Sequence, residues 1–407
     1  MSKKIIIILF LLVFLLLLSN NVFYEEDIDQ LAYVIAIGID KGEKEKIKIS
    51  FQISIPESSS SDSGSSGSDS SKLSDTIITT VECNSLDSGI NLANNYISKQ
   101  LNLSHCKVFA ISEELAKEGI SDYIYTAINS IELRPNCNLV ICKDNCFDFL
   151  KNSKPDLEKL TAEYYEIITA ANKYSSYTSN ITIVDVFLDI TDSFKEGVAI
   201  LGMTESKEPT GNLVAGDINI KTFSGEDQNN NTQIIGLAVF KGDKFVGELD
   251  GDDVTAYLIL TNKLNKTTIT IPAPDDNLKT IDLQIKLNSK TKNNVILKDD
   301  IPYILSNINI SSNILSMSSG KNYLNETELI KLQNSANDYI KNLLLSFFEK
   351  TSKEYNSDVT GFGKYAVKYF YTLDKWKEYN WLDKYKNAVF EVKVDTKVKS
   401  SYLLLKS

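Results

Sequence analysis

The residues that could do chemistry most directly are the only histidine, His105, and the cysteine beside it, Cys106. A cysteine acts as a nucleophile with a histidine only when the two side chains meet in space. Adjacent residues of a β-strand point to opposite faces of the sheet, so this dipeptide is not itself a catalytic dyad. Another cysteine could approach His105 in the folded chain, but we favour a structural role for the histidine.

Two other patterns are too incomplete to predict a reaction. The segment from Gly361 to Lys364 is similar to the end of a phosphate-binding loop, but the earlier glycine and the following Ser or Thr hydroxyl are missing. The two carboxylates of a glycosidase could come from any of the 54 acidic residues, so their abundance predicts no particular pair. We therefore predict no catalytic residue, no metal ligand and no cofactor.

The five cysteines do not form a recognisable framework. Their number is odd, and their spacings match no zinc-binding motif. We expect free, buried thiols, with a single disulfide as the alternative. The cysteines are Cys83, Cys106, Cys137, Cys142 and Cys146.

Charge and length restrict the class of protein. The formal net charge is -11, whereas nucleic-acid binding needs a basic surface, so we expect no nucleic-acid partner. The chain has 407 residues, which is more than one core normally holds, and we expect two or three domains.

A basic and then apolar N-terminal segment predicts where the rest of the chain lies. Lys3 and Lys4 precede an unbroken run of 14 apolar residues, a length typical of an export signal. No small-x-small cleavage site follows, so we expect residues 1–22 to stay as a membrane anchor. The positive-inside rule then places the remaining chain outside the membrane. The predicted membrane-facing side chains are Ile5, Leu9, Phe10, Leu11, Phe14 and Leu18.

Hydrophobic periodicity predicts a multi-domain α+β body of mixed and antiparallel sheets with packed helices. An N-terminal α/β domain is predicted over 23–215, and an α+β domain over 216–407. The Ser-rich stretch 58–71 is predicted to be a disordered insertion, because it buries too little apolar surface. The part over 155–195 is predicted to be helical and is a candidate subdomain.

The same hydrophobic periodicity predicts the individual strands and helices. Strands are predicted in the second half of 28–40, and at 46–55, 75–81, 106–111, 138–142, 198–201, 234–240, 244–249, 281–287, 295–297, 303–315 and 388–394. Helices are predicted at 86–97, 123–131, 155–194, 252–264, from 325 onward and near 365–371. Within the helical part, the side chains expected to face inward are Leu157, Leu160, Tyr164, Ile167, Ala171, Tyr174, Ile183, Val186, Phe187 and Ile190.

Several segments together resemble one family, the Ger(x)C spore germination proteins, which are the C subunits of nutrient germinant receptors in endospore-forming bacteria. The segments occur in family order and are 26–32 with 37–40, 103–108 with 114–119, 132–134, 236–240 with 246–247, and 357–363 before two tryptophans. The motif residues within them are Asp40, His105, Arg134, Gly236, Phe240, Gly247, Asp358, Gly361, Gly363, Trp376 and Trp381.

The resemblance implies a non-enzymatic, membrane-attached subunit on the outer face of the inner spore membrane. Its implied partners are a membrane-embedded A subunit and a transporter-like B subunit. The family resembles lipoproteins, with Cys-Trp-Asp after the signal, but Val22 and Phe23 stand at the Cys and Trp positions here. No thiol is therefore present for lipidation.

Two functions from other classes remain as alternatives, an extracytoplasmic cell-wall hydrolase and a substrate-binding protein of a transporter. The sequence leaves open which germinant is involved and whether this subunit contacts it.

The anchor hypothesis predicts that the protein sediments with membranes but incorporates no labelled fatty acid. Burial of 14 large apolar side chains at about 1.5–3 kcal/mol each strongly opposes release into water. N-terminal sequencing of the membrane fraction should then start at Met1 or Ser2. A start between 20 and 23 would show that the segment is removed.

Overall fold

The computed structural model describes residues 28–55, 75–155, 157–204, 232–318, 323 and 325–399, together with Ile5 and Phe10, which are both helical. The Ser-rich insertion and the other predicted anchor residues lie outside these ranges. Within the described ranges, no helix is both long and apolar enough to cross a membrane.

Nine of the described strands form a mixed sheet, in the order β3-β2-β1-β5-β6-β7-β8-β9 with β4 beside the start of β1. In this order, the neighbouring strands β1, β5, β6 and β7 are parallel. Antiparallel pairs extend the sheet at both ends, through β2 and β3 beside β1 and through β8 and β9 beside β7. The strands are β1 Leu31–Lys41, β2 Ile47–Ser54, β3 Thr76–Cys83, β4 Gln100–Asn102, β5 Val108–Ser112, β6 Asn138–Cys142, β7 Val198–Thr204, β8 Thr232–Lys241 and β9 Lys244–Leu249.

Helices cover this sheet, and its central strands are buried on both faces. Apolar residues therefore run continuously along β5, β6 and β7, as expected for parallel strands covered on both sides. The helices are α1 Leu86–Ala93, α2 Glu113–Glu118, α3 Ser121–Asn129, α4 Cys146–Asn152, α5 Thr161–Thr169 and α6 Ile183–Thr191. Capping boxes at Ser85 and Thr182 start α1 and α6, because each side chain accepts from a first-turn N–H group.

The C-terminal part builds a second sheet of five described strands, in the order β10-β11-β13-β12, with β14 parallel to β13. The strands are β10 Thr267–Ala273, β11 Asp276–Leu287, β12 Lys292–Lys298, β13 Ile301–Met317 and β14 Val389–Lys399. The long helix α8, Glu326–Glu349, packs against β10 and β14, and α7, Gly251–Leu260, packs between α8 and β8.

Short elements complete the chain. They are α9 Gly363–Ala366, α10 Leu373–Tyr379, α11 Trp381–Lys384, the π-helical turn Lys350–Glu354, and the 3-10 turns Ile28–Gln30, Ala171–Lys173, Val367–Tyr369 and Tyr385–Asn387.

Most predicted elements are confirmed, including both hairpins of the first sheet and the start of α8 at its N-cap Asn325. The continuous helix over 155–194 is wrong, because only α5 and α6 are α-helical there. Leu157 and Tyr174 are 93% and 77% exposed, and Leu160 is 42% exposed, so none of them faces the core. The serines between α5 and α6 favour irregular backbone, which explains the break.

Two further expectations need correction. The N-cap of α7 is Asp250, two residues earlier than the predicted start, because its carboxylate accepts from the backbone N–H of Asp253. Strand β10 was not predicted, although alternate residues along it are buried. Its Pro272 lowers the strand signal, since proline cannot donate to a ladder.

The predicted domain boundary at 215/216 falls between β7 and β8, which pair antiparallel in the first sheet. The first sheet therefore contains strands from both sides of that boundary. The domain limits themselves stay a prediction.

The helical part is attached to the first sheet by a buried polar contact. Tyr165 on α5 donates its hydroxyl to Gln52 Oε1 on β2 at 2.7 Å, and both residues are buried. The amide nitrogen of Gln52 donates to the carbonyl of Leu150 at 3.3 Å. Both ends of the Gln52 side chain are thereby satisfied.

We expect Tyr165→Phe to lower the free energy of unfolding by about 1–3 kcal/mol, because Gln52 Oε1 loses its donor inside the core. Urea denaturation followed by circular dichroism measures the change. Tyr174→Phe is the matched control, since Tyr174 is 77% exposed. Equal destabilisation by both substitutions would contradict a role for the buried hydrogen bond.

Candidate functional site

The motif residues separate into three places in the fold. His105 and Arg134 line a surface cavity, and Asp40 lies at the start of α4. The others lie where the first sheet meets the C-terminal part, and there we define the Asp358 junction as residues 357–363 with the groups that contact them. Within the described residues, no group of three or more His, Cys, Asp or Glu side chains is arranged to hold a metal ion.

The Asp358 carboxylate is the centre of the junction and is fully buried. Its Oδ1 accepts from the Gly361 N–H at 2.9 Å and from the Thr360 hydroxyl at 3.0 Å. Its Oδ2 accepts from the Gly363 N–H at 3.0 Å and from the Trp381 indole at 2.8 Å. Four donors thus surround one carboxylate, as a charged group without water requires.

Both motif tryptophans pack here, and each uses its indole N–H. Trp376 donates to the Ser193 hydroxyl at 2.9 Å, in the segment between α6 and β7. The Trp376 and Trp381 rings stack with centroids 6.1 Å apart, and both are 1% exposed. The two side chains therefore bury large apolar surfaces without leaving a polar atom unpaired.

Further hydrogen bonds attach the junction to the first sheet. The Ser357 hydroxyl donates to the carbonyl of Phe240 on β8 at 2.7 Å. The backbone N–H of Glu196 donates to the carbonyl of Asp358 at 3.0 Å. The Glu196 carboxylate in turn accepts from the Gly242 N–H, at 2.7 Å, in the turn between β8 and β9.

Two motif glycines are required by local geometry. Gly361 has φ +79°, a left-handed conformation that strains most other residues. A Cβ on Gly247 would lie 2.3 Å from the ring of Tyr355, so this ring packs directly on the β9 backbone. Gly236, the remaining motif glycine of β8, donates its N–H to the carbonyl of Tyr177 at 2.8 Å.

The carboxylate and the glycine N–H groups of the junction are already paired with each other. The glycine N–H groups that a phosphate loop would offer to a nucleotide already donate to Asp358. The carboxylate is enclosed, and both its oxygens accept hydrogen bonds, so it has no access to a substrate proton. Burial raises the pKa of Asp358, and the Trp381 indole opposes this rise.

Other ionisable groups are buried beside the junction. Lys195 and Asp189 form an ion pair at 2.6 Å, with side chains 14% and 15% exposed. Burial raises the pKa of Asp189, while the charge of Lys195 acts in the opposite direction. Burial raises the pKa of Glu196 to about 7, and the Gly242 N–H counteracts part of this increase.

Asp40 has a separate structural role at the carboxyl end of β1. Its two oxygens accept from the N–H groups of Cys146 and Phe147, at 2.7 and 3.2 Å, in the first turn of α4. A carboxylate at this position satisfies otherwise unpaired donors at a helix start. Asp40 thus connects β1 to α4.

The cavity containing His105 and Arg134 lies at the amino ends of β5 and β6 and has a volume of about 360 Å³. His105 is exposed and contacts Tyr33 edge-to-face, with ring centroids 4.9 Å apart. Cys106, its neighbour, is buried, but the strand begins only at Val108, so the turn at His105 and not the alternation of a strand separates the two side chains. All five cysteines are buried, and none forms a disulfide, as expected.

Sequence reasoning missed several residues that complete these sites. Glu196 and the Lys195–Asp189 pair have no distinctive spacing in the sequence. Ser357 begins the family segment 357–363, and this segment was the one signal available. The hydrogen bond of Glu196 to Asp358 joins residues 162 positions apart, so no local pattern indicates it.

The raised pKa of Glu196 predicts that stability falls as pH increases. Below pH 4.5, the ordinary value, the residue is protonated in both states. Between pH 4.5 and about 7 the unfolded chain ionises while the folded chain keeps the proton, so stability is progressively lost across this window. The loss is about 1.4 kcal/mol for each unit of pKa difference.

We expect Glu196→Gln to flatten this pH dependence while keeping an oxygen acceptor for the Gly242 N–H. Urea denaturation at a series of pH values from 4.5 to 8 measures the change. Glu349→Gln, on an exposed position of α8, is the matched control. An unchanged pH profile in Glu196→Gln would refute the assignment.

Comparison with known proteins identifies the family. Residues 24–205 match the spore germination protein N-terminal domain, and residues 235–402 match the spore germination B3/GerAC-like C-terminal domain. The curated spore germination protein GerQC of Bacillus cereus is 23% identical over 176 residues, which span 43% of this chain and 47% of that protein. The match thus covers about half the length of that relative.

The crystal structure of the GerBC protein is similar in fold. It aligns with 91% of this chain and 99% of its own, with a TM-score of 0.50 and 16% identity. The mixed α+β fold and the resemblance noted from the motif residues are both confirmed by these matches. The chain belongs to the Ger(x)C family of spore germination proteins.

Proposed function

We propose that this protein is a non-enzymatic, membrane-attached subunit of a spore nutrient germinant receptor, and that it acts by assembling with the A and B subunits. The observation that carries the proposal is the pair of family matches, which together extend from residue 24 to 402 with one gap. The likeness in fold to GerBC over 91% of the chain is consistent with it.

The Asp358 junction supports a scaffolding role. Its polar groups are used to hold the C-terminal part against β8 and the segment before β7, as the contacts of Ser357 and Glu196 show. A cell-wall hydrolase would need a pair of accessible carboxylates, whereas the Asp358 carboxylate of the junction is enclosed. A transporter's binding protein would need two similar lobes, whereas the two sheets here differ in strand number and direction.

Location follows from the same proposal. The anchor over 1–22 would hold the folded body at the outer face of the inner spore membrane, beside the membrane-embedded partners. Such tethering raises the effective concentration of the body near its partners, so even weak contacts would be occupied.

Deletion of the gene tests the proposal directly. We expect the mutant spores to lose germination with at least one nutrient of a panel, measured as the fall in optical density. The tagged full-length protein should co-purify with the A and B subunits from detergent extracts of wild-type spores. Normal germination with every nutrient, together with no co-purification, would exclude the receptor role.

A second strain separates membrane attachment from folding. Replacing residues 1–22 with a cleavable signal should give a soluble body that unfolds like the parent but does not restore germination. A strain carrying Lys397→Gln, an exposed change on β14, is the control and should germinate normally. Full restoration by the soluble body would show that the anchor is dispensable.

A further inference from the structure

The cavity at the amino ends of β5 and β6 contains the only arginine and the only histidine of the chain. Arg134 comes from the loop between α3 and β6, and His105 from the segment before β5. These side chains are exposed, unlike the buried Asp358 and Trp381. Neither takes part in a hydrogen bond or ion pair through its side chain within the described part of the chain. The fold therefore leaves both available to a ligand.

The cavity is cationic in a protein that is otherwise acidic. Lys107, Arg134 and Lys173 line it, against the single carboxylate of Glu166, so its formal charge is +2 with neutral histidine. The whole chain carries -11. Lys107 pairs with Glu166 at 3.3 Å, which leaves Arg134 and Lys173 as the cations without a carboxylate partner among the described residues.

A second cavity at the opposite end of the same strands has the reverse balance. It is about 420 Å³ and is lined by four carboxylates, including Asp40 and Asp144, against three lysines. Its formal charge is thus -1. An anion near this sheet is therefore attracted to the amino-end cavity rather than to the carboxyl-end one.

We propose that the amino-end cavity binds a small organic or inorganic anion through a carboxylate or phosphate group. Arg134 provides a planar fork of N–H donors that matches either group, and Lys173 provides a second positive charge. His105 and the amide of Asn180 line the same cavity and can hydrogen-bond the rest of the ligand. A volume of about 360 Å³ is at the small end of ligand sites, so the ligand is a small molecule.

This inference goes beyond the proposed function and does not depend on it. The cavity can bind an anion whether or not the chain assembles with receptor subunits. Failure of one proposal therefore leaves the other in place.

The single histidine makes the test specific. Full-length protein in detergent micelles, labelled with ¹³C at histidine Cε1, has one imidazole signal, from His105. We would titrate it with succinate, with inorganic phosphate, with neutral succinamide, and with sodium chloride at matched ionic strength. We expect a saturable shift with succinate, phosphate or both, and none with the other two. Saturation by only one anion identifies which group the site takes.

Variants that should weaken anion binding and a variant that should tighten it then test the geometry of the cavity. Arg134→Gln should weaken binding by about tenfold or more, because a charged, bidentate contact is lost. Arg134→Lys keeps the charge without the fork and should be intermediate. Glu166→Gln should tighten binding, since it removes the only carboxylate of the cavity and frees Lys107. Lys397→Gln on β14 is the charge-matched control and should change nothing.

Several results would overturn the proposal. They are no saturable shift with either anion up to roughly 10 mM, an equal shift with succinamide or sodium chloride, and unchanged affinity in Arg134→Gln. Thermal unfolding of each variant checks that it is folded. If Arg134→Gln is unfolded, the Glu166→Gln and Arg134→Lys affinities decide the question, because a loss of affinity in Glu166→Gln contradicts the assigned charge balance.

Discussion

One buried carboxylate orders the loop through which the C-terminal part of this protein contacts its first sheet. Asp358 is fully buried, and it is stable there only because four donors surround it. Loss of any donor would leave part of a charge without compensation in a medium of low dielectric constant. The conformation of the loop 357–363 and the position of Trp381 therefore depend on each other.

The same loop also connects the C-terminal part to the first sheet. The loop contacts β8 through Ser357, and it contacts the segment that leads into the neighbouring strand β7 through Glu196. Strand β8 begins at the end of the gap between the two family matches and continues into the C-terminal match, and it pairs with β7 from the N-terminal match. The two matched regions are thus joined by strand pairing as well as by the junction.

The two ends of the parallel strands carry different charge. Carboxylates predominate at the carboxyl ends, where Asp40 already occupies the start of α4, and cations predominate at the amino ends around Arg134. The free N–H groups at the start of a helix can bind an anion, but those of α4 already donate to Asp40 and need no external anion. The amino-end cavity has no such internal anion apart from Glu166, which already pairs with Lys107.

The sequence alone determined most strands, most helices, the family and the buried thiols. Local signals were sufficient for these, because continuous apolar runs, period-two alternation and caps such as Asn325 act over a few residues. The break in the helical part was missed because the apolar spacing before and after it suggested one helix, although the serines between α5 and α6 favour irregular backbone. Only the tertiary structure decided that Asp358 is enclosed while Arg134 is open, since burial and partners come from residues far apart in the chain.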